Sequence, residues 1–475
     1  MASAASAASP FPRWRVFPPV ALGVVMATLD ASVVNIALPT LQRRFAVPFT
    51  TIEWVVLAYT VTITGLMLTA GRLADLRGRR DVYAAGLVTF TAASLLCGLA
   101  PGAPALIAAR VLQGVGAAMV AANGSALLVS AFPLEERGKA LGAFGAMVGI
   151  GLAMGSPLGG LVIAHWSWRW VFLVNVPIGL LTLALLRTRV PADRPAAGAP
   201  PLDLVAAALW CGALVTLMLA LSRGPETGWS SPGVLALFAG AALLFAAFAA
   251  AESRSKHPML PLPVLFGPLG AAVLLTLLGQ AVTVGVGMQV PLYLEEVFGF
   301  DAQRTGLWVA VLPLASLALA PVAGWLADRS GARVLTTSGM AATAAGLAVL
   351  SRMGATMGWP LPVGLALVGA GQGLFAVPNA SSLLSLVPHA QLGIASGLQG
   401  TTRNLGFSTG AAFVGAVLAS RYLAHAGRVL EGGRGPVNRA AFVAASHEAF
   451  VALAVVALAG AVLAVVQRRE PSALA

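Results

Sequence analysis

Residues 71–80 read GRLADLRGRR, a dense basic turn between two long apolar runs, and residues 324–333 read GWLADRSGAR, which repeats the Gly-x-Leu-Ala-Asp opening in the same setting. A chain that writes this turn twice is expected to consist of two related halves. A second echo agrees: Pro133-x-x-x-x-Gly138 follows one apolar run, and Pro388-x-x-x-x-Gly393 follows the matching run downstream. Two related halves rocking around a shared site is the arrangement on which alternating-access transport works.

Working outward, the 475 residues are 58% hydrophobic and 10% charged, with a mean hydropathy of +0.87. That balance lies well outside the range of a soluble domain. The apolar runs have the length a bilayer demands and lack period-two alternation, so the fold class is all-α integral membrane protein. The 53 glycines fit that class, because small residues let helix backbones approach closely in lipid.

Six runs fall in the first part of the chain, at about 16–38, 52–70, 82–100, 105–130, 140–164 and 170–186. The Pro-rich basic stretch 187–201 follows, and then two further runs at about 203–222 and 233–251. Six more occupy about 268–294, 304–325, 334–351, 360–386, 393–420 and 441–466. Removing 203–266 brings the two turns to the same place in each half. The expected organisation is a six-helix bundle (1–202), two inserted helices with a linker (203–266) and a second six-helix bundle (267–475), fourteen spans in all. Lys and Arg are biased toward the loops on the side of the turns, which puts both termini in the cytoplasm.

Composition also excludes functions. The formal charge of +12 comes from arginines scattered singly between apolar runs, a topology signal and not a nucleic-acid-binding face. Cys97 and Cys211 lie inside spans without metal-type spacing and read as packing residues. The five histidines, His165, His257, His389, His425 and His447, lie near span ends. No catalytic or metal-ligating cluster emerges, and an enzyme is not expected.

Chemistry in a membrane concentrates in ionisable groups at depth. Of 17 acids only Asp30 lies well inside a span, and of 29 bases only Arg110 and Arg403 do. Asp30 sits nine residues before Pro39, roughly 14 Å below the end of its span, and Arg110 six residues after Pro104, roughly 9 Å below the same face. The two are placed to meet. Polar residues able to line a cavity between the halves are Asn35, Gln113, Asn123, Gln280, Gln289, Asn379 and Asn404, among apolar and Met side chains that suit a small hydrophobic or amphipathic substrate.

Taken together, LDASVVNIALP (29–39), GRLADLRGRR (71–80), RVLQGVGAA (110–118), GLAMGSPLGG (151–160) with WRWVFLVNVPIG (168–179), and residues 371–406 resemble the major facilitator superfamily, and within it the fourteen-span drug/proton antiporter branch. The resemblance implies a fold of two six-helix bundles plus two inserted helices. It implies a proton-coupled exporter of lipophilic drugs or antibiotics in the bacterial cytoplasmic membrane, with a dedicated exporter of one endogenous metabolite or lipid as the alternative. It implies no cofactor beyond the proton as coupling ion, and a functional monomer.

By position, the resemblance gives Asp30 the first-span acid of proton handling, and Arg110 with Gln113 and Gly114 the fourth-span coupling motif. Gly71, Asp75, Gly78, Arg79 and Arg80 match the gating turn, with Asp328 and Arg329 in its second copy. Gly151, Gly155, Pro157, Gly159 and Gly160 match the antiporter motif of the fifth span. Two departures stand out: Leu76 follows the turn's Asp where a basic residue is usual, and Pro157 lies one position beyond the usual Gly-Pro. The second half has Gly369 where the first has Arg110. A nearby guanidinium favours the ionised form of a carboxyl and burial disfavours it. A movement separating Asp30 from Arg110 is therefore expected to load a proton on one side, and the opposite movement to release it.

Overall fold

The computed structural model describes residues 13–133, 136–191, 202–255, 258, 260, 262–388, 391–427 and 438–466. The far N-terminus, residues 192–201 of the linker, His257, His389 and the C-terminal tail lie outside them. Asp328 stands in a helix, but its side chain also lies outside what is described.

The chain is helical, with no strand among the described residues. The first bundle contains α1 (Phe17–Phe45), α2 (Trp54–Arg77), α3 (Arg79–Leu99), α4 (Ala103–Ala131), α5 (Arg137–His165) and α6 (Asn175–Arg189). The inserted pair is α7 (Leu204–Thr227) and α8 (Pro232–Arg254). The second bundle contains α9 (Pro268–Phe298), α10 (Val311–Ser330), α11 (Ala332–Leu350), α12 (Pro360–Ser385), α13 (Leu392–Ala426) and α14 (Arg439–Val466). Thirteen helices of the described residues are long and apolar enough to cross a bilayer, and α5, 29 residues long, stands at the place of the fifth span.

The helices differ from the expected spans in ways the local chemistry explains. α1 runs through Pro39 to Phe45, seven residues past the expected end at residue 38. The sixth span is divided, with a short helix Trp170–Leu173 ahead of α6. Pro177 has no N–H to give the carbonyl of Leu173, four residues back, and the first piece ends there. The same break recurs in the second half, where the helix Ala302–Val309 precedes α10 and Pro313 has no N–H to give the carbonyl of Val309.

Both basic turns close in the same way. α2 ends at Gly78 with φ 99° and α10 at Gly331 with φ 84°, a region that only glycine enters at little cost. At this turn-bearing end the two halves are sealed to each other. α2 lies on α13, and α5 on α10. A Cβ at Gly71 would fall on the carbonyl oxygen of Gly393, and one at Gly324 on that of Gly138. The two sequence echoes are therefore partners: the turn of each half packs on the Pro-x-x-x-x-Gly of the other. A mixed apolar cluster, with Ala126, Val129 and Leu141 from one half and Ala320, Val377, Leu384 and Leu392 from the other, completes the seal.

The inserted pair leans on this seam. Ala206, Ala207, Trp210 and Leu214 of α7 share a buried cluster with Leu68 of α2 and Ile394 and Leu398 of α13. α7 starts where it does because Asp203 accepts the backbone N–H groups of Val205 and Ala206, an N-cap. Outward-facing apolar side chains such as Leu243 and Val462 are left exposed, as lipid-facing surfaces require.

Candidate functional site

Asp30, on α1, is buried at 1% exposure, and so is Arg110 on α4. Arg110 Nη1 donates to Asp30 Oδ2 at 2.6 Å. The other carboxylate oxygen, Oδ1, accepts from Gln113 Nε2 at 2.9 Å and from Asn175 Nδ2 at 2.8 Å. Arg110 is held in turn by Gln113 Oε1 (2.6 Å) and the Val55 carbonyl (2.8 Å), with its guanidinium 4.1 Å from the centre of the Tyr59 ring. Gln113 also donates to Ser94 Oγ and accepts from Cys97 Sγ. One buried knot thus ties α1, α2, α3, α4 and α6 together.

The arrangement has a chemical consequence. The Asp30 carboxylate receives three donors, two of them on Oδ1, which is the pattern of an ionised acid. A proton added to either oxygen meets a donor already pointing at it, so protonation demands that at least one of these bonds break. The Asn175 carbonyl oxygen, buried in the same knot, has no hydrogen-bond partner. It is an acceptor at hand once the network rearranges.

The glycines of the fifth span face this site from outside. A Cβ at Gly151 would run into Thr28, and one at Gly155 into Ser32, the residues two before and two after Asp30. Gly159 extends the contact to Val33, where a Cβ would lie 3.1 Å from Cγ1. Gly160 meets nothing, and Pro157 is exposed on an unbroken helix. The contact is small residues on small residues, with α5 set directly against the backbone of α1 on either side of Asp30.

The turn works differently from a mere basic loop. Asp75 accepts the N–H groups of Gly393 and Ile394, both at 2.9 Å. These are the second and third residues of α13, whose own N-cap residue provides no side-chain bond. Asp75 therefore caps a helix of the other bundle, where free donors and the positive end of the dipole both favour a carboxylate. Arg79 bridges back to Asp75 at 3.2 Å across the turn. Arg80 donates to the carbonyl of Arg187 at the end of α6, and Arg329 stacks 3.9 Å over Trp325.

This geometry carries a prediction. Asp75→Asn replaces one acceptor oxygen by an N–H₂ aimed at a backbone donor and removes the charge. It should weaken the sealed arrangement by roughly tenfold or more, since a hydrogen bond to a charged group contributes about 1.5–3 kcal/mol. Electron–electron resonance distances between spin labels at the turn-bearing ends of α2 and α13 should lengthen in the folded variant. Unchanged distances would reduce the cap to a bystander.

The remaining polar candidates are dispersed. Gln113 belongs to the Asp30 knot. Gln289 donates to Ser446 inside the second bundle, and Asn379 joins α12 to α9 through Thr276 and the Ala272 carbonyl. Asn123 bonds the carbonyl of Met119 within α4, and Asn35 that of Ala31 on an exposed face. Asn404 reaches across the seam to Thr64 at 3.1 Å. Gln280 is half-buried beside Gly406 of α13. Where the first half has Arg110, Gly369 brings α12 onto the backbone of Leu312. The sequence reading passed over Asn175, Ser94 and Tyr59; for Asn175 the signal was an amide at depth, two residues before a span-breaking proline.

Comparison with known proteins agrees with this architecture. A family model described as Major Facilitator Superfamily matches residues 20–288 and 269–474. The multidrug resistance protein Stp of Mycobacterium tuberculosis is 35% identical over 401 residues, 84% of this chain and 74% of that protein. The tetracenomycin C resistance and export protein of Streptomyces glaucescens is 32% identical over 416 residues, 86% of this chain and 76% of that protein. Among solved structures, the human organic anion transporter MFSD10 superposes with a TM-score of 0.67 at 15% identity, covering 95% of this chain and 99% of that one, a likeness of fold alone. With the family matched along nearly its whole length and the two sealed bundles in view, the chain belongs to the major facilitator superfamily.

Proposed function

We propose that this protein is a proton-coupled antiporter that exports hydrophobic or amphipathic drugs or antibiotics across a bacterial cytoplasmic membrane by alternating access, as a monomer with both termini in the cytoplasm. The observation that carries the reading is the Asp30–Arg110 pair, an acid and a base buried together at 1% exposure each where membrane proteins retain such groups mainly for function. The names of the relatives, a multidrug resistance protein and an antibiotic export protein, support export of such compounds.

The contacts support the following cycle. With the turn-bearing end sealed and taken as cytoplasmic, the arrangement is outward-facing. Sliding of α1 along the glycines of α5 parts Asp30 from Arg110, and a carboxylate without its counter-charge takes a proton. Reopening of the Asp75 cap exposes the other side, the pair re-forms and the proton leaves inward. Substrate rides the same exchange in the opposite direction.

One experiment tests coupling and sidedness together. Reconstituted with Arg77→Cys, an exposed position beside the turn, the protein reports its orientation to an impermeant thiol reagent. A proton gradient directed toward the turn-bearing face should drive an amphipathic dye to the opposite compartment, and a protonophore should abolish this. Dye movement indifferent to the gradient would sink the coupling.

A further inference from the structure

Arg403 is the other base embedded in the spans, and the site above leaves it unused. It lies in the middle of α13, and no ion pair or hydrogen bond to it is formed by any described residue. Arg110 shows what a partnered cation looks like in this protein: a carboxylate, an amide and a carbonyl surround it. Arg403 has none of these among the described residues, and it is half-buried. A charge held at depth without a counter-charge costs free energy unless something else meets it.

The packing of α13 shows where Arg403 looks. Gly393, Gly397, Gly400 and Asn404 turn toward α2, while Gly406 and Gly410 turn toward α9. Arg403 falls between these faces, on the side of Ser396, whose hydroxyl meets Ser125 of α4 at 2.6 Å across the seam. Seven residues separate Ser396 from Arg403, which places the guanidinium's origin about 10 Å above that sealed contact. It therefore lies on the face of α13 that fronts the other bundle, and so toward the space between the two. One to two turns above Ser125, α4 carries the small apolar residues Ala118, Ala121 and Ala122, clustered with Met67 of α2. Gln399, one turn below Arg403, adds an amide.

We propose that Arg403 is the anion-binding residue of this space, and that it selects amphipathic molecules bearing a single carboxylate. The inference rests on the export reading above and narrows its substrate class. One guanidinium matches one carboxylate through two parallel N–H···O bonds. The small apolar residues of α4 accept the rest of the molecule, and the bound anion supplies the counter-charge that the protein withholds.

The test is equilibrium binding to the whole protein in phosphatidylcholine nanodiscs, using tritiated naproxen and its methyl ester as a matched acid and ester. The wild type should prefer the acid. Arg403→Gln should weaken acid binding by roughly tenfold to hundredfold, the range of a hydrogen-bonded charge, while ester binding holds, and Arg403→Lys should fall between. Retained ester binding shows that the variant is folded. Acid binding untouched by Arg403→Gln, equal loss of both ligands, or no acid preference in the wild type would each overturn the proposal. So would loss of the preference in phosphatidylglycerol nanodiscs, which would assign Arg403 to lipid headgroups. Binding needs no proton gradient, so failure here leaves the coupling intact and failure of the coupling leaves this result standing.

Discussion

Asp30→Asn is expected to abolish proton-driven accumulation of substrate while leaving the protein folded and able to exchange substrate down its gradient. The amide has the size of the carboxylate and keeps one acceptor for Arg110 Nη1, now 2.6 Å from Asp30 Oδ2, but it cannot titrate. Its new N–H₂ faces the donors of Gln113 and Asn175, and the Asn175 amide can turn over to accept, since its oxygen is otherwise unpartnered. Arg110 keeps the Val55 carbonyl, the Gln113 oxygen and the Tyr59 ring. Proteoliposomes decide the matter: a pH gradient should produce no accumulation in the variant, and counterflow of labelled against unlabelled substrate should persist. Accumulation by Asp30→Asn driven by protons alone would remove Asp30 from the coupling, and Glu53, at the end of α2 away from the turn, would be the next acid to test.

Arg110→Ala should be the more damaging change, because it acts on stability as well as transport. Removing one partner of a buried pair strands the other, a loss of about 3–5 kcal/mol, and here it also empties the middle of a knot joining five helices. The double variant Asp30→Asn with Arg110→Ala should recover much of that stability, since no lone charge is left, yet transport nothing against a gradient. Thermal unfolding followed by fluorescence size-exclusion supplies the stability arm. If Arg110→Ala unfolds at the wild-type temperature and still couples, the pair is neither brace nor switch. Arg403 should behave oppositely, with little effect on stability and an effect on transport confined to anionic substrates.

How far the residues could be read ahead of the structure depends on the range of the interaction. Bilayer length and loop charge act locally along the chain, so apolar runs could be counted, the repeated turn recognised and Asp30 and Arg110 singled out as charges at depth. Helix rise alone put those two within reach of each other. Span ends were less legible: α1 continues past Pro39 because proline tolerates a helix that neighbouring helices support, whereas Pro177 and Pro313 interrupt theirs.

Packing between bundles was decided by interactions no linear pattern encodes. The repeated turn and the repeated Pro-x-x-x-x-Gly were both visible as echoes, but nothing in the spelling says that Asp75 caps α13 or that Gly71 lies on Gly393. Those contacts join residues more than three hundred positions apart and exist only when the halves close. The same holds for polar side chains. An amide in an apolar run must find a partner, yet which helix supplies it depends on rotation and crossing. Gln289 and Asn379 are turned into their own bundle, Asn404 across the seam, and Asn175 onto Asp30. Residue type and depth mark where free energy demands a partner; the three-dimensional approach of the helices alone chooses it.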